Sequence, residues 1–203
     1  MKKRKAITVL FVGTLILSLL SCSMTKTNST ELSVKERLEQ LSGTYLDLVP
    51  YNYGQAFGQR VFTFDNGKWT LRFTLGLDPQ LQQKVFQFRT FGTYEVLDKS
   101  LLVPTAYNAL FLEEKKFLTL LTDNQDLIGA FGLGNCQLEQ GKEKDISEDG
   151  CALWAAVEVC QEDHDLLALD AEGLLYFGVR PPDNNMCTAD RRPITLTPPV
   201  SKQ

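Results

Sequence analysis

From Gly43 onward, apolar and polar residues alternate over much of the chain with a period of two, the spacing of a strand that covers one face and shows the other. Val61-Phe62-Thr63-Phe64-Asp65 and Lys68-Trp69-Thr70-Leu71-Arg72-Phe73 flank Asn66-Gly67, a pair suited to the positive φ values of a type I′ hairpin turn. That turn sets Phe64 opposite Trp69 and Phe62 opposite Leu71 on one face, and Thr63 opposite Thr70 on the other. Further strands are predicted at 85–91, 93–97, 101–103, 107–112, 117–121, 141–146, 151–159, 165–170 and 174–179, separated by short polar links such as Glu113-Glu114-Lys115-Lys116. Short links make the arrangement an antiparallel meander. Two helices interrupt it. Ser33 followed by Glu36 has the form of a capping box, and Val34, Leu38 and Leu41 share a face, so a helix leads into Gly43. A second helix is predicted within 122–133, capped by Thr122 or Asp123, with Leu127, Ala130 and Phe131 on one side. From Pro193 the chain is rich in proline, cannot extend a sheet interior, and should run over the surface. About ten strands and two short helices are enough to curl fully or partly into a barrel.

The segment before this pattern reads differently. Residues 1–21 have a basic start, an apolar run from Ala6 to Leu20 too short for a comfortable membrane span, and Leu19-Leu20-Ser21-Cys22 at the end. This looks like a bacterial lipobox, in which the chain is cut before Cys22 and the Cys22 thiol carries acyl chains that hold the protein to a membrane. Ser23 is not aspartate, which favours the outer membrane of the cell envelope. Residues 22–32 are small and polar and read as the lipidated cysteine and a flexible tether, leaving 33–203 as one domain.

Charge narrows the partners. The 203 residues carry 21 Lys and Arg against 25 Asp and Glu, a formal net charge of −4. Removing the four basic residues of the export segment leaves 17 against 25, or −8. That sign argues against nucleic acid, whose binding rests on cationic neutralisation of phosphates. A single histidine argues against His-based metal sites and a Ser-His-Asp triad.

Besides Cys22 there are Cys136, Cys151, Cys160 and Cys187, whose wide spacing is unlike that of zinc motifs and suits two disulfides in an exported chain. If 152–159 is one strand, Cys151 and Cys160 stand roughly 30 Å apart, beyond disulfide reach. Cys136–Cys151 with Cys160–Cys187 is the preferred pairing; Cys136–Cys160 with Cys151–Cys187 stays open.

Four motifs follow one another over the last part of the chain: Gly134-Asn135-Cys136, Asp149-Gly150-Cys151, Leu175-Tyr176-Phe177-Gly178-Val179-Arg180-Pro181, and Asp190-Arg191-Arg192-Pro193. With these, and with Gly43-Thr44-Tyr45 at the start, the chain resembles the extracellular domain of the APCDD (adenomatosis polyposis coli down-regulated) family. The resemblance implies a lipocalin-like antiparallel β-barrel or open β-clam around a hydrophobic cavity that takes lipid acyl chains. Three departures limit it. There is one copy of the domain, the anchor is N-terminal, and Asp47-Leu48-Val49-Pro50 lacks the cysteine of the family's Cys-Glu-x-Arg-Pro stretch. The Wnt antagonism of the animal proteins therefore does not transfer.

Seven of the twelve phenylalanines fall between Phe57 and Phe91, beside Trp69. The candidate ligand-binding face is Phe62, Phe64, Trp69, Leu71 and Phe73, joined by Phe86 and Phe88 of the next strand; either it lines a cavity or it fills a solid core. His164 sits in Gln161-Glu162-Asp163-His164-Asp165, which reads as a solvated turn without metal-ligand spacing. Gly129, Gly132 and Gly134 follow a helix and do not open one, so they are no phosphate loop. Ser147 lacks a nucleophile-elbow context. Arg180, Arg191 and Arg192 could meet an anionic head group at a cavity mouth, but bracing a loop is the simpler role. The expectation is an exported, non-enzymatic lipoprotein without cofactor or metal that binds an acyl chain or other apolar molecule. The alternative is an envelope scaffold with a solid core and a protein partner.

Overall fold

The computed structural model describes residues Leu32–Gln203. Cys22, the export segment and nearly all of the tether lie outside the described residues. The capping box forms: the Ser33 hydroxyl accepts from the Glu36 backbone N–H while the Glu36 carboxylate accepts from Ser33 N–H at 2.8 Å, opening α1 (Val34–Glu39). α1 is shorter than the pattern suggests. Leu38 and Leu41 are buried, but Val34 stays exposed.

Asn66 and Gly67 take φ of 49° and 77° and join β3 (Phe57–Asp65) to β4 (Lys68–Gly76). The register is the predicted one, with Phe64 opposite Trp69, Phe62 opposite Leu71 and Thr63 opposite Thr70. Next come two long strands, β5 (Lys84–Lys99) and β6 (Tyr107–Leu120), where the pattern suggested four short ones. Gly92 does not end a strand. It sits at a bulge so tight that a Cβ there would lie 1.9 Å from the Leu112 carbonyl oxygen, and the strand bends and continues. Glu113 to Lys116 are not a link either. Glu113 and Lys116 turn inward and pair with each other at 2.7 Å, while Lys115 reaches out to Asp145 at 3.0 Å.

Other boundaries also move. Residues 101–103 form a turn with Leu101 and Leu102 exposed. The helix expected within 122–133 is only α2 (Gln125–Ala130), because Asn124, not Thr122 or Asp123, caps the N–H groups of Asp126 and Leu127. Residues 151–159 are not a strand but a series of tight turns following the Cys136–Cys151 disulfide. The strand-length argument against a Cys151–Cys160 bond therefore falls, although both bonds formed, Cys136–Cys151 and Cys160–Cys187, are the preferred ones. His164 is not in a solvated turn: it lies within β8 (Glu162–Leu169), with its ring between Glu162 and Arg192.

The proline-rich end corrects the expectation most. Instead of staying on the surface it delivers β10 (Val200–Lys202) into the wall, between β1 (Gly43–Asp47) and β9 (Leu175–Phe177). The prolines precede the strand and so cost it no ladder bonds. The order β1-β10-β9-β8-β6-β5-β4-β3 is an up-and-down meander, and pairing of β1 with β3 closes it into an eight-stranded antiparallel barrel. It is a closed barrel, not an open clam. Two short strands lie alongside: β2 (Tyr51–Asn52) on β3, and β7 (Glu143–Asp145) on the second half of β6.

One end of the barrel is solid. α1 places Leu38 and Leu41 over Tyr45, Phe64 and Val200, and the Tyr94 hydroxyl donates to the Leu38 carbonyl at 2.9 Å. Phe62 stacks on Phe177 with centroids 3.9 Å apart. At the other end β3 to β6 extend as a curled sheet, and α2 with the disulfide-tied segment after it packs on Phe86, Phe88 and Leu118.

Candidate ligand-binding cavity

Between the two packed ends lies a cavity of about 920 Å³, within the range of small-molecule pockets. Six of the seven expected ligand-binding residues line it: Phe62, Trp69, Leu71, Phe73, Phe86 and Phe88. Phe64 does not. It is 1% exposed in the closed end, edge-on to Tyr45 and Tyr94, and belongs to the core. Leu71 and Phe73 show that the space is real: both alternate with Trp69 and Leu75 on the inner face of β4, yet remain only partly covered. An inward side chain left half-covered faces a void or a ligand, not another wall.

Aromatic rings order this apolar wall. Trp154 stacks on Phe88 at 4.9 Å and stands edge-on to Phe86 at 5.1 Å. Trp69 meets Phe111 edge-on at 4.8 Å and donates its indole N–H to the Leu112 carbonyl at 3.3 Å. Both tryptophans of the chain therefore border the cavity. Tyr53, Leu153 and Val159 border it too and are exposed, so the approach is itself partly apolar.

The same lining also carries charge. Arg60, Glu113, Lys116, Asp163, Asp165 and Arg180 also line the cavity. Each sits at an inward position of its strand or just past one: Arg60 between Gly58 and Phe62 on β3, Asp163 and Asp165 in step with Leu167 on β8. Arg60 is held by Asp47 through Nε and Nη2, the shortest contact being 2.5 Å, and gives further bonds to Thr197 Oγ1 and the Pro198 carbonyl. Lys116 donates to the carbonyls of Ala155 and Cys160 and pairs with Glu113. Arg180 forks onto Asp163 and bonds Asn184. Asp165 Oδ1 accepts from Leu166 N–H at 2.7 Å and Gly178 N–H at 2.9 Å. Burial, with Asp163 adding its negative charge, pushes the Asp165 carboxyl up to about 7. Burial likewise raises Glu113, again with Asp163 contributing, against the pull of Lys116.

This charged wall is the part of the site that sequence reading misses. Runs such as Glu113-Glu114-Lys115-Lys116 look solvated, and only their alternation with Phe111 and Leu118 marks Glu113 and Lys116 as inward. The other candidates are structural. Arg191 pairs with Asp183, Arg192 donates to the carbonyls of Asp165 and Ala109, and Ser147 accepts from the Lys116 N–H at 2.9 Å. Among the described residues no group of three or more His, Cys, Asp or Glu is placed to hold a metal, and no helix is long and apolar enough to cross a membrane.

Fold and site together define a disulfide-bonded antiparallel β-barrel with a ligand-sized cavity whose lining is part apolar and part charged. Two disulfides fit an oxidising compartment such as the cell envelope or exterior. No protein-family model and no curated protein matches the chain.

Proposed function

We propose that this chain is a membrane-anchored lipoprotein of the cell envelope that binds an apolar ligand, an acyl chain or similar molecule, in its barrel, and that it is kin to the APCDD domains it resembles. The observation that carries the reading is the cavity itself. Leu71 and Phe73 point into it incompletely covered, and Phe86, Phe88 and Trp154 offer a continuous aromatic wall. Such a surface gains free energy only when an apolar body covers it. A scaffold with a solid core would have closed this space.

The neutral probe N-phenyl-1-naphthylamine, added to delipidated protein, should take energy from Trp69 and Trp154 with a saturable, roughly micromolar affinity, corresponding to about 8 kcal/mol. A long-chain alcohol should displace it, and Leu71→Arg should weaken both while the far-UV spectrum stays that of the wild type. Absence of saturable uptake by the wild type would favour the scaffold. The anchor has its own test. Cys22→Ala should leave an uncut precursor or release the protein from membranes; a variant that is processed and partitions into detergent like wild type would remove lipidation from the proposal.

A further inference from the structure

The cavity has two kinds of polar group, and they differ in what they have left to offer. All three N–H bonds of Lys116 are used, on Ala155, Cys160 and Glu113. Arg60 and Arg180 each spend four of five N–H bonds on Asp47, Thr197 and Pro198, or on Asp163 and Asn184. A ligand carboxylate would find no free bidentate fork here, and both guanidiniums already carry a carboxylate partner.

The acids are the opposite case. Asp165 is 6% exposed and bonds only through Oδ1; Glu113 is 7% exposed and meets only Lys116, through Oε2. Asp165 Oδ2 and Glu113 Oε1 have no hydrogen-bond partner among the described residues. Every fully buried side-chain oxygen there does have a partner, so these two open onto the cavity their residues line. Of the groups that line the cavity, three carboxyls, Glu113, Asp163 and Asp165, stand against two cations, Lys116 and Arg180, since Arg60 is matched by Asp47 and Asp183 by Arg191. Arg192, outside the lining, stands behind Asp165 and offsets part of the excess. Ionised, the lining itself carries one negative charge too many.

We infer that the cavity takes an amphiphile with a cationic, hydrogen-bond-donating head, a primary ammonium, set among these carboxyls with its tail along Leu71, Phe73, Phe86 and Phe88. The inference rests on the cavity being an apolar-ligand site, as proposed above. An ammonium supplies both things the wall lacks, donors for the open oxygens and one positive charge. Binding is also coupled to protons. The groups around Asp165 are Asp163 on the same strand, Glu113 and Lys116 on β6, Arg180 after β9, Arg192 on its backbone carbonyl, and the Arg60–Asp47 pair across the barrel. With its carboxyl raised to about 7, Asp165 must lose a proton to hold a cation, so the preference for an amine grows as pH rises through neutrality.

The test compares dodecylamine, dodecanol and dodecanoate as displacers of N-phenyl-1-naphthylamine from delipidated full-length protein with its disulfides intact. Dodecylamine should bind at least about tenfold more tightly than dodecanol at pH 8, dodecanoate more weakly than dodecanol, and the amine's advantage should shrink at pH 6. Asp165→Asn keeps an Oδ1 acceptor for Leu166 and Gly178 and should abolish the pH dependence of the amine's advantage over dodecanol. Glu113→Gln should reduce the amine's advantage by a second route. If dodecanoate binds as well as dodecylamine, or if Asp165→Asn leaves the amine preference and its pH dependence intact, the head-group assignment is overturned while the apolar cavity stands. Failure of all three ligands would overturn both.

Discussion

Asp47 and Arg60 are 2% and 6% exposed and meet inside the wall where β1 and β3 separate toward β2. Two charges taken out of water cost several kcal/mol each, so the pair holds only because its remaining bonds are met, by Thr197 and the Pro198 carbonyl. These last partners tie the C-terminal segment to β3 just before that segment enters the barrel as β10. Removing one partner should be far worse than removing both. Asp47→Ala would strand the Arg60 guanidinium and should cost about 3–5 kcal/mol in urea unfolding, whereas Asp47→Leu with Arg60→Met should recover much of it. A loss under 1 kcal/mol in the single variant would mean that water reaches the site and the pair is not the joint described here. At this scale the sequence is half legible. The apolar inward residues Phe62, Trp69, Leu71, Phe73, Phe86 and Phe88 follow from alternation and one hairpin turn. The charged ones, Arg60, Glu113, Lys116, Asp163 and Asp165, alternate just as regularly, but a charge in sequence is read as solvated until its partner, often far along the chain, is known.

Among the elements, what misleads is what bends. Gly92 and the charged run at 113–116 look like breaks because glycine and consecutive charges usually mark turns, yet both lie inside strands that run on through a bulge. β6 pairs with β8 along Tyr107–Leu112 and with β7 along Phe117–Thr119, and the irregular stretch between them is where Glu113 and Lys116 turn into the cavity. The bulge is thus what allows one strand to be barrel wall at one end and cavity floor further on. β10 is legible least of all: three residues after a proline-rich run carry no periodic signal, and their place depends on the groove left between β1 and β9. The segment 151–159 fails for the reverse reason. Its apolar residues suggest a strand, but it is a disulfide-tied cover of tight turns that leaves Leu153 and Val159 exposed, puts Trp154 on Phe88 and, with the adjoining Cys160, supplies two backbone carbonyls, those of Ala155 and Cys160, to Lys116.

For the whole molecule, a charged wall around a void makes stability a function of pH and of occupancy. Asp165 is an acid whose folded pKa, about 7, lies above its ordinary 3.8, so the folded state favours its protonated form. The stability this contributes is complete below about pH 4 and is lost as pH rises through 7. Asp145 acts in the other direction. The Ser147 hydroxyl and backbone N–H hold it at about 2, so its contribution is present above about 4 and lost on further acidification. Since Asp145 is largely solvated, with 44% of its side chain exposed, its share is the smaller one. The empty protein should therefore be most stable in mild acid, near pH 4, and its melting temperature should fall between pH 4 and 8. Asp165→Asn, which cannot ionise but keeps the acceptor for Leu166 and Gly178, should match wild type near pH 4 and exceed it increasingly toward pH 8. Calorimetric melts of both proteins across that range decide the matter; parallel curves would mean that Asp165 ionises freely and the wall is solvated. An ammonium ligand would act where the mutation does, by matching the ionised carboxyl, so dodecylamine should raise the wild-type melting temperature more at pH 8 than at pH 5 and have no such bias in Asp165→Asn. The pH profile of the empty barrel and the choice of head group then have one cause, a carboxyl kept inside the wall with one oxygen left for something the chain does not supply.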